Sequence, residues 1–282
     1  MMAPPVLWPW QGGKARLAAG IASRLPSHRA YVEPFAGTAA VFLAKARSPI
    51  EVLNDANGDI IAVYRCLQDP VTMRHLVRRL RWTPISRAEW RRAKDSAPIG
   101  DTVEQAARFL IRLTQGFGGK PDSSSWGGGM ASDIQSRVDR LLHRLPVVAD
   151  RLRGVALESG DWSDVATRYD RVDTVCYLDP PYVGTDGDYG MAWTLADQTH
   201  LVNTVLQMRS MVVLSGYEHP TTLALVDAGW HQETYRLPVG VKGRTEATGL
   251  ARGRLAAQDY RTECLWWSPS AWAHANRQLA WF

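Results

Sequence analysis

The sequence predicts an α/β fold, in which a mostly parallel β-sheet is flanked by helices and interrupted by a helical segment. Residues 30–60 and 155–270 carry short apolar runs that are typical of buried parallel strands. Helical patterns lie between many of these runs, whereas residues 61–150 show a helical pattern almost throughout. The alternation and its interruption together predict a sheet domain with an inserted helical unit.

The individual elements of the sheet domain follow from these runs. The predicted strands are Ala30–Phe35, Glu51–Asp55, Val155–Ser159, Thr174–Asp179, Met211–Tyr217 and Thr262–Trp267. The predicted helices between them are Thr38–Arg47, Leu195–Met208 and Thr221–Ala228. Because helices separate many of the strands, we expect helices on both faces of the sheet.

The middle of the chain predicts a second unit. Its helical patterns cover Val71–Leu80, Arg87–Lys94, Thr102–Leu113 and Ser132–Leu152. Residues 116–130 are rich in glycine and serine, which is typical of a flexible loop or hairpin. We therefore predict that residues 1–60 and 151–282 form the sheet domain, and that residues 61–150 form a helical insertion with a flexible loop at 116–130.

The positive charge of the chain is concentrated in this insertion. The whole chain carries a formal net charge of +5. Residues 61–150 hold 15 Lys and Arg against 9 Asp and Glu, a net charge of +6, so the remainder carries −1. Such a segment attracts a polyanion, and Arg91 and Arg92 are candidate contacts. A solvated helical surface that is merely rich in arginine explains the charge equally well.

Several classes of protein are disfavoured by composition. No run of 18 or more apolar residues predicts a transmembrane helix, and the first 14 residues lack the pattern of a signal peptide. Cys66, Cys176 and Cys264 are scattered, without a CxxC pair or a zinc-ligand spacing. We therefore expect a cytoplasmic protein without a metal site or a membrane partner.

The strongest motif is Asp179-Pro180-Pro181-Tyr182, which directly follows the apolar run 175–178. Ligands of open α/β sheets bind at the edge where the strands end, so a carboxylate is expected there. The two prolines stiffen the turn, and Tyr182 is placed to stack on a flat ring. The structural alternative is a proline-rich turn with a capping aspartate.

Two further motifs follow earlier strands. Gly37, in the turn 33–38, permits a tight strand-to-helix connection with free N–H groups beyond it, although a plain turn has the same pattern. Asp55 lies about 20 residues beyond that turn, as does the acidic residue that accepts ribose hydroxyls in nucleoside-binding folds. The alternative for Asp55 is an N-cap of a helix at Gly58–Leu67.

The remaining candidates are weaker by themselves. Asp161 follows another strand and is placed to accept from the amine of an adenine ring, with Trp162 beside it, but an N-cap explains Asp161 equally well. Near the N-terminus, Trp10 and Lys14 flank two glycines that allow close approach of a ligand. A core tryptophan and a surface lysine are the alternative for this pair.

Taken in order, these segments resemble the Dam-type family of DNA adenine methylases, over nearly the whole chain. The matching pieces are Trp10–Lys14, Tyr31–Gly37, Asn54–Asn57, Gly160–Trp162, Asp179–Tyr182, Val213–Tyr217 and Arg261–Trp266. The resemblance implies a Rossmann-like class I methyltransferase fold with a helical target-recognition insertion. It also implies S-adenosylmethionine as cofactor, double-stranded DNA as partner, and a bacterial or phage-infected host; the oligomeric state stays open.

The resemblance also implies site residues. Those expected at the S-adenosylmethionine pocket are Trp10, Lys14, Phe35, Gly37, Asp55, Asp161, Trp162 and Asp179. The segment Asp179–Tyr182 is expected to form the target-base site. By hypothesis Asp179 accepts one hydrogen of the adenine N6 amine and the Pro180 carbonyl accepts the other. The base must leave the duplex for this chemistry, and Tyr182 is expected to stack on it.

The chain departs from the family pattern at two places. Ala39 stands where a second glycine is usual after Gly37, and alanine is small enough for the pocket to survive. The stretch 113–119 lacks the polar side chains that read bases in related enzymes, so relaxed specificity is expected. Phe117, Lys120 and Trp126 are the residues of the loop expected to touch DNA or wedge into it.

Three rival functions are weighed against this interpretation. A cytosine N4 methyltransferase uses the same geometry, but Asp179 favours adenine over cytosine. A DNA-binding relative with a decayed catalytic site is disfavoured by the intact motif at 179–182. A nicotinamide-dependent oxidoreductase is disfavoured because the chain lacks a G-x-G-x-x-G run.

Overall fold

The computed structural model describes residues 6–8, 14–95, 100–117, 125–127, 131–183, 193–238 and 260–279. Its strands are β1 Ala30–Glu33, β2 Ile50–Asn54, β3 Ala156–Glu158, β4 Thr174–Leu178, β5 Met211–Gly216, β6 His231–Pro238 and β7 Tyr260–Trp267. Its helices are α1 Ala18–Arg24, α2 Ala40–Ala44, α3 Gly58–Gln68, α4 Pro70–Arg81, α5 Arg87–Arg92, α6 Thr102–Gln115, α7 Ala131–Arg151, α8 Trp162–Arg168, α9 Leu195–Gln207, α10 Leu223–Asp227 and α11 Pro269–Leu279. Short 3₁₀ helices occupy Lys14–Arg16 and Pro220–Thr222.

The described strands form a single seven-stranded sheet in the order β3-β2-β1-β4-β5-β7-β6. Neighbouring strands from β3 to β5 are parallel, whereas β7 runs antiparallel to both β5 and β6. The order reverses between β1 and β4, which is the switch point where such sheets bind ligands. This architecture confirms the predicted mixed, mostly parallel α/β fold.

Side chains of the strands alternate between two cores, because successive residues of a strand point to opposite faces. Tyr31 and Leu53 belong to the larger core, and their neighbours Val32 and Val52 belong to the smaller one. Helices α1–α4, α6, α7 and α11 contribute to the larger core, and α8–α10 to the smaller. Both faces of the sheet are therefore covered, as its near-continuous apolar strands predicted.

The chain between β2 and β3 is helical, and it packs on one face of the sheet. Helices α3, α4, α6 and α7 share the larger apolar core with strand residues such as Leu53. Helix α3 packs against α6, whose buried face includes Phe109 and Leu110. The helical character predicted for residues 61–150 agrees with these elements, while their division from the sheet as a separate domain stays a prediction.

Sequence patterns missed or misjudged several elements, among them α8, which was implied only by the N-cap alternative for Asp161. Strand β6 was not predicted because it is the edge strand and is largely polar, so it lacks an apolar run. Helix α11 was also missed. Helix α2 is shorter than the predicted Thr38–Arg47, because Ala39 adopts a left-handed conformation at φ 50° and Lys45 is extended. Its real span is Ala40–Ala44.

Candidate active site

Five parallel strands end at one edge of the sheet, and loops that carry predicted site residues follow the first four of them along the chain. The loops after β1, β2, β3 and β4 carry, in that order, Phe35 with Gly37, Asp55, Asp161 with Trp162, and Asp179–Tyr182. Because the carboxyl ends of parallel strands meet at the same edge, these distant segments lie side by side. We call this edge the catalytic edge.

The turn after β1 is tight and is supported from two sides. Gly37 has φ +48°, a conformation that glycine adopts without steric cost. Its N–H donates to Asp55 Oδ2 at 2.8 Å, and its carbonyl accepts from the Tyr64 hydroxyl at 2.7 Å. Ala39, which replaces the family glycine, is also left-handed, so this alanine holds a strained conformation. The turn is thus shaped for close approach of a ligand.

Asp55 is a half-buried carboxylate whose two oxygens each accept one backbone N–H. Oδ2 accepts from Gly37, and Oδ1 accepts from Asn57 at 2.9 Å. Burial raises the pKa of Asp55 from 3.8 to about 6, and the two backbone hydrogen bonds only partly oppose this shift. The alternative that Asp55 caps α3 is wrong, because the Asn57 side chain caps that helix. Each carboxylate oxygen retains acceptor capacity for a ligand.

Asn54 joins the loops that follow three strands. Its side chain donates to the Pro34 carbonyl at 2.8 Å and to the Gly160 carbonyl at 3.2 Å, and it accepts from the Gly160 N–H at 3.0 Å. Asn54 is fully buried, at 0% exposure. Sequence reasoning gave this residue no role of its own, because nothing local shows which loops lie across from it.

The loop after β3 presents a capping aspartate and an aromatic cluster. Asp161 caps α8 by accepting hydrogen bonds from Ser163, as the N-cap alternative expected. Partial burial acts to raise the pKa of Asp161, but hydrogen bonds from Ser163 and the Asp164 backbone outweigh it, so the net shift is downward. The Trp162 ring stacks on Phe35 at 5.6 Å between centroids, and Trp193 meets the edge of Phe35 at 5.7 Å. Sequence reasoning missed Trp193, which joins this cluster from outside the motifs.

Asp179 lies in a buried network at the centre of the catalytic edge. Lys14, which is 4% exposed, places Nζ 2.7 Å from Asp179 Oδ1. The Tyr182 hydroxyl lies 3.1 Å from the same oxygen and also contacts Lys14 Nζ. Burial raises the pKa of Asp179, and Lys14 opposes that shift only in part. In the described part of the chain, both recorded contacts fall on Oδ1, which leaves Oδ2 as an acceptor.

Glu263 closes this network from β7, and sequence reasoning missed it. Its Oε1 lies 2.7 Å from the Tyr182 hydroxyl, 3.0 Å from Lys14 Nζ and 3.1 Å from Ser215 Oγ. The only available signal was a glutamate within an otherwise apolar strand, since Glu263 lies within the predicted strand Thr262–Trp267. We refer to Lys14, Asp179, Tyr182 and Glu263 as the catalytic-edge cluster.

Lys14 remains charged despite its burial. Removal from water lowers the pKa of its ammonium, but Asp179 and Glu263 more than compensate, so the net shift is upward. A second buried acid lies nearby on β1, where the Tyr31 hydroxyl donates to Glu33 Oε2 at 2.8 Å. Burial raises the pKa of Glu33 from 4.5 to about 8, so this carboxyl is largely protonated at neutral pH.

A small pocket opens beside the motif, toward β5 and β7. Its lining includes Pro180, Tyr182, Ser215, Tyr217 and Trp266. The Tyr182 and Tyr217 rings lie 4.3 Å apart, inclined at 42°. The pocket measures about 50 Å³, which is room for a few water molecules rather than for a purine. A purine therefore needs more room than this pocket offers in the present structure.

The predicted DNA contacts are only partly placed. Arg91 and Arg92 are exposed on α5, and Arg92 pairs with Glu89 at 2.8 Å. Phe117 is 59% exposed, whereas Trp126 is half-buried beneath the Arg87 guanidinium. Trp10 and Lys120 lie outside the described residues.

An exposed aromatic that sequence reasoning missed lies near Phe117. Trp82, just beyond the end of α4, is 77% exposed. The Gln115 side chain donates to the Pro84 carbonyl at 3.1 Å and accepts from the Ser86 N–H at 3.2 Å. These bonds hold the segment after Trp82 against the end of α6, two residues before Phe117. Trp82 and Phe117 are therefore each two residues away from the contact between Pro84 and Gln115.

Two features are absent from residues 6–8, 14–95, 100–117, 125–127, 131–183, 193–238 and 260–279. Within those ranges, no three His, Cys, Asp or Glu side chains are grouped as a metal site would require. No helix in the same part of the chain is long and apolar enough to cross a membrane.

The strand order and the loops at the catalytic edge define a Rossmann-like class I methyltransferase fold, with a glycine turn after β1 and acidic residues after β2, β3 and β4. The chain belongs to the D12 class N6 adenine-specific DNA methyltransferase family, whose sequence profile matches residues 10–237. Family membership confirms the predicted class of enzyme and its reaction, the methylation of adenine in DNA. It also implies S-adenosylmethionine as the methyl donor.

Named relatives agree with this family. The chain is 27% identical over 206 residues to the DNA adenine methylases of a classical Ogawa and an El Tor Inaba strain of Vibrio cholerae serotype O1. The match covers 69% of this chain and 73% of each relative. Among solved structures, the rRNA methyltransferase AviRa from Streptomyces viridochromogenes is similar with a TM-score of 0.36 and 14% identity, over 95% of this chain and 90% of that one. A similarity that low carries no argument about function.

Proposed function

We propose that this enzyme methylates the N6 amine of an adenine turned out of double-stranded DNA, and that Asp179 is the residue that prepares the amine. The observation that carries the proposal is the one-sided engagement of the Asp179 carboxylate. Its Oδ1 is held by Lys14 and lies beside the Tyr182 hydroxyl, while Oδ2, which accepts from none of the described residues, stays available at the edge where ligands of such sheets bind. A fixed carboxylate with one open oxygen is suited to accept an amine hydrogen.

The residues at the ends of β1–β3 fit S-adenosylmethionine. Asp55 offers acceptor sites to two ribose hydroxyls, and the left-handed turn at Gly37 allows the backbone to approach a ligand. Asp161 and the rings of Phe35 and Trp162 fit an adenine amine and its flat face. When bound, S-adenosylmethionine supplies an electrophilic methyl group on its sulfonium sulfur.

The Asp179–Tyr182 turn holds the target amine and activates it as a nucleophile. The amine is a poor nucleophile because its lone pair is delocalised into the ring. Asp179 Oδ2 accepts one amine hydrogen and the Pro180 carbonyl accepts the other, which draws the nitrogen toward tetrahedral geometry and localises the lone pair. Fixing both partners in this arrangement is worth about 7–11 kcal/mol of barrier in well-oriented reactions.

The target base must leave the helix, because its amine cannot reach Asp179 from within a duplex. Unstacking the base costs a few kcal/mol, and stacking it on an aromatic side chain offsets about 1–3 kcal/mol of that cost. Tyr182 and Tyr217 flank the pocket beside the motif, and they are packed on each other in this structure. We assign these rings to the base site, where the arriving adenine displaces one of them.

The helical segment supplies the DNA-binding surface. Its +6 net charge favours phosphate contacts, and Arg91 is exposed on α5 one turn beyond Arg87. Phe117 and Trp82 add exposed rings to this segment. Such a surface binds DNA chiefly through its backbone, in keeping with the expected relaxed specificity.

The test is methylation of plasmid DNA by purified wild-type protein and by Asp179→Ala and Asp179→Asn variants. Nucleosides are analysed by mass spectrometry, and positions by methylation-aware sequencing. We expect N6-methyladenine from the wild type, and at least a thousandfold lower single-turnover rate from both variants with unchanged thermal stability. Near-wild-type activity of Asp179→Ala would refute the assignment, and N4-methylcytosine as the product would refute the target base.

A further inference from the structure

Glu263 faces the catalytic centre although it comes from a strand far along the chain. Strand β7 is antiparallel to β5, so its early residues lie at the edge where β5 ends, with Cys264 opposite Gly216. The Glu263 side chain is 6% exposed, and its recorded contacts converge on one oxygen, from the Tyr182 hydroxyl, Lys14 Nζ and Ser215 Oγ. A buried carboxylate with this many donors is held in one orientation.

The Tyr182 hydroxyl lies within hydrogen-bonding distance of two carboxylates, those of Glu263 and Asp179. It lies 2.7 Å from Glu263 Oε1 and 3.1 Å from Asp179 Oδ1, and a hydroxyl has one hydrogen to donate. The shorter distance assigns that hydrogen to Glu263. Lys14 is likewise divided, at 2.7 Å from Asp179 and 3.0 Å from Glu263. Without Glu263, Asp179 would be the carboxylate left to both donors among the contacts given above.

We propose that Glu263 is a positioning residue for methyl transfer, which takes the Tyr182 hydrogen and shares the Lys14 ammonium so that Asp179 keeps acceptor capacity for the target amine. The inference rests on the proposed role of Asp179. It assigns no contact between Glu263 and substrate. Glu263 acts through Tyr182 and Lys14, and Ser215 holds it in place.

The same arrangement leaves a signature in the pH dependence of the reaction. The charged and titratable groups that face Asp179 are Lys14 from the 3₁₀ helix, Glu263 from β7, Glu33 from β1, Tyr177 from β4 and Tyr182 from its own turn. The negative charge of Glu263 helps to raise the pKa of Asp179, and Lys14 lowers it. Removing that charge, with Lys14 turning toward Asp179, makes Asp179 ionise at lower pH.

The test compares Glu263→Gln, which keeps shape but not charge, with Glu233→Gln as a matched control. Glu233 is a half-buried carboxylate on β6, paired with Arg24 and outside the catalytic-edge cluster. For Glu263→Gln we expect a single-turnover rate about 10–100-fold lower, since a hydrogen bond to a charged group is lost. We also expect KM values for DNA and cofactor within about threefold of wild type, and an acid limb of the rate profile moved to lower pH. Glu233→Gln should keep the wild-type rate and profile.

A double-mutant cycle isolates the route through the tyrosine. In a Tyr182→Phe background, Glu263→Gln should cost less than in the wild type, because the hydroxyl that Glu263 holds is already absent. An unmoved acid limb, a loss confined to KM, or a wild-type rate for Glu263→Gln would each overturn the inference while Asp179→Ala stays inactive. If Asp179→Ala is itself active, the proposed function fails and the role of Glu263 fails with it.

Discussion

Two buried ion clusters lie at opposite edges of the same sheet, and they behave in opposite ways. The catalytic-edge cluster combines one lysine with two carboxylates. At the other edge, Glu51 near the start of β2 binds Lys45 at 2.6 Å and Arg151 at 2.5 and 2.7 Å. We call Lys45, Glu51 and Arg151 the amino-edge cluster. One cluster has an excess of negative charge and the other an excess of positive charge.

The pKa shifts follow the sign of that excess. Burial alone would raise the pKa of Glu51, but hydrogen bonds from Arg151 and Lys45 outweigh it and hold the pKa below its usual value. The pKa of Asp179 lies above its usual value, because burial and Glu263 outweigh Lys14. Both oxygens of Glu51 accept hydrogen bonds, whereas Oδ2 of Asp179 accepts none from the described part of the chain. A carboxylate whose two oxygens both accept hydrogen bonds stabilises the fold, whereas a carboxylate with one remaining oxygen can accept a hydrogen from a substrate.

The largest expected effect comes from opening the amino-edge cluster. Glu51→Gln leaves two buried cations without their counter-charge, so the free energy of unfolding should fall by about 3–5 kcal/mol. Urea denaturation measures this, and the methylation rate of the remaining folded enzyme should stay at the wild-type value. Asp179→Asn should show the reverse pattern, with lost activity and unchanged stability. Equal stability of Glu51→Gln and wild type would break the contrast between the clusters.

A second effect concerns Glu33, which belongs to neither cluster. Its folded-state pKa of about 8, against 4.5 when exposed, means that the folded state binds the extra proton. Its favourable contribution is complete below pH 4.5 and is lost as pH rises toward 8, by roughly 3 kcal/mol at pH 7. Glu33→Gln removes this ionisation, so it should stabilise the protein more at pH 8 than at pH 5. Melting temperatures of the wild type and of Glu33→Gln, measured between pH 5 and pH 8, test this prediction. Parallel curves of melting temperature against pH would contradict the assigned pKa of Glu33.

The contribution of the helical segment to DNA binding should depend on salt concentration, whereas that of the catalytic edge should not. Arg91→Ala removes one phosphate contact, so the slope of log K for DNA against log salt should become shallower by about 0.9. Arg153→Ala is the control, because Arg153 is also exposed but lies two residues beyond the end of α7, beside Asp150. Identical slopes for the two variants would exclude Arg91 from the DNA surface.

The smallest expected effect tests the turn after β1. Ala39 holds a left-handed conformation that costs an alanine about 1 kcal/mol. Ala39→Gly should therefore raise the free energy of unfolding by about 0.5–1 kcal/mol and leave activity intact. Ala40→Gly, one residue into α2, should lower it by about 1 kcal/mol, since that position is helical. Opposite signs for these neighbouring substitutions would establish the strain, and equal losses would disprove it.

The sequence alone determined most of the sheet and the contents of its loops. Each buried strand shows as an apolar run; Asp55 and Asp179 directly follow β2 and β4, and Asp161 follows β3 after two intervening residues. Local burial and turn geometry leave a local pattern, because they depend on the residues of one element. The same reasoning failed for β6, where the strand is polar and lies at the edge of the sheet.

Tertiary structure alone decided which side chains meet. Lys14, Asp179 and Glu263 come from three separated segments, and only the insertion of β7 between β5 and β6 brings Glu263 beside Tyr182. A local pattern reports that a residue is buried, but not what lies across from it. The charge balance around a buried acid, and so its pKa, depends on those partners. For this reason the sequence predicted the Asp179–Tyr182 motif, but it did not predict the charges that surround Asp179 and set its pKa.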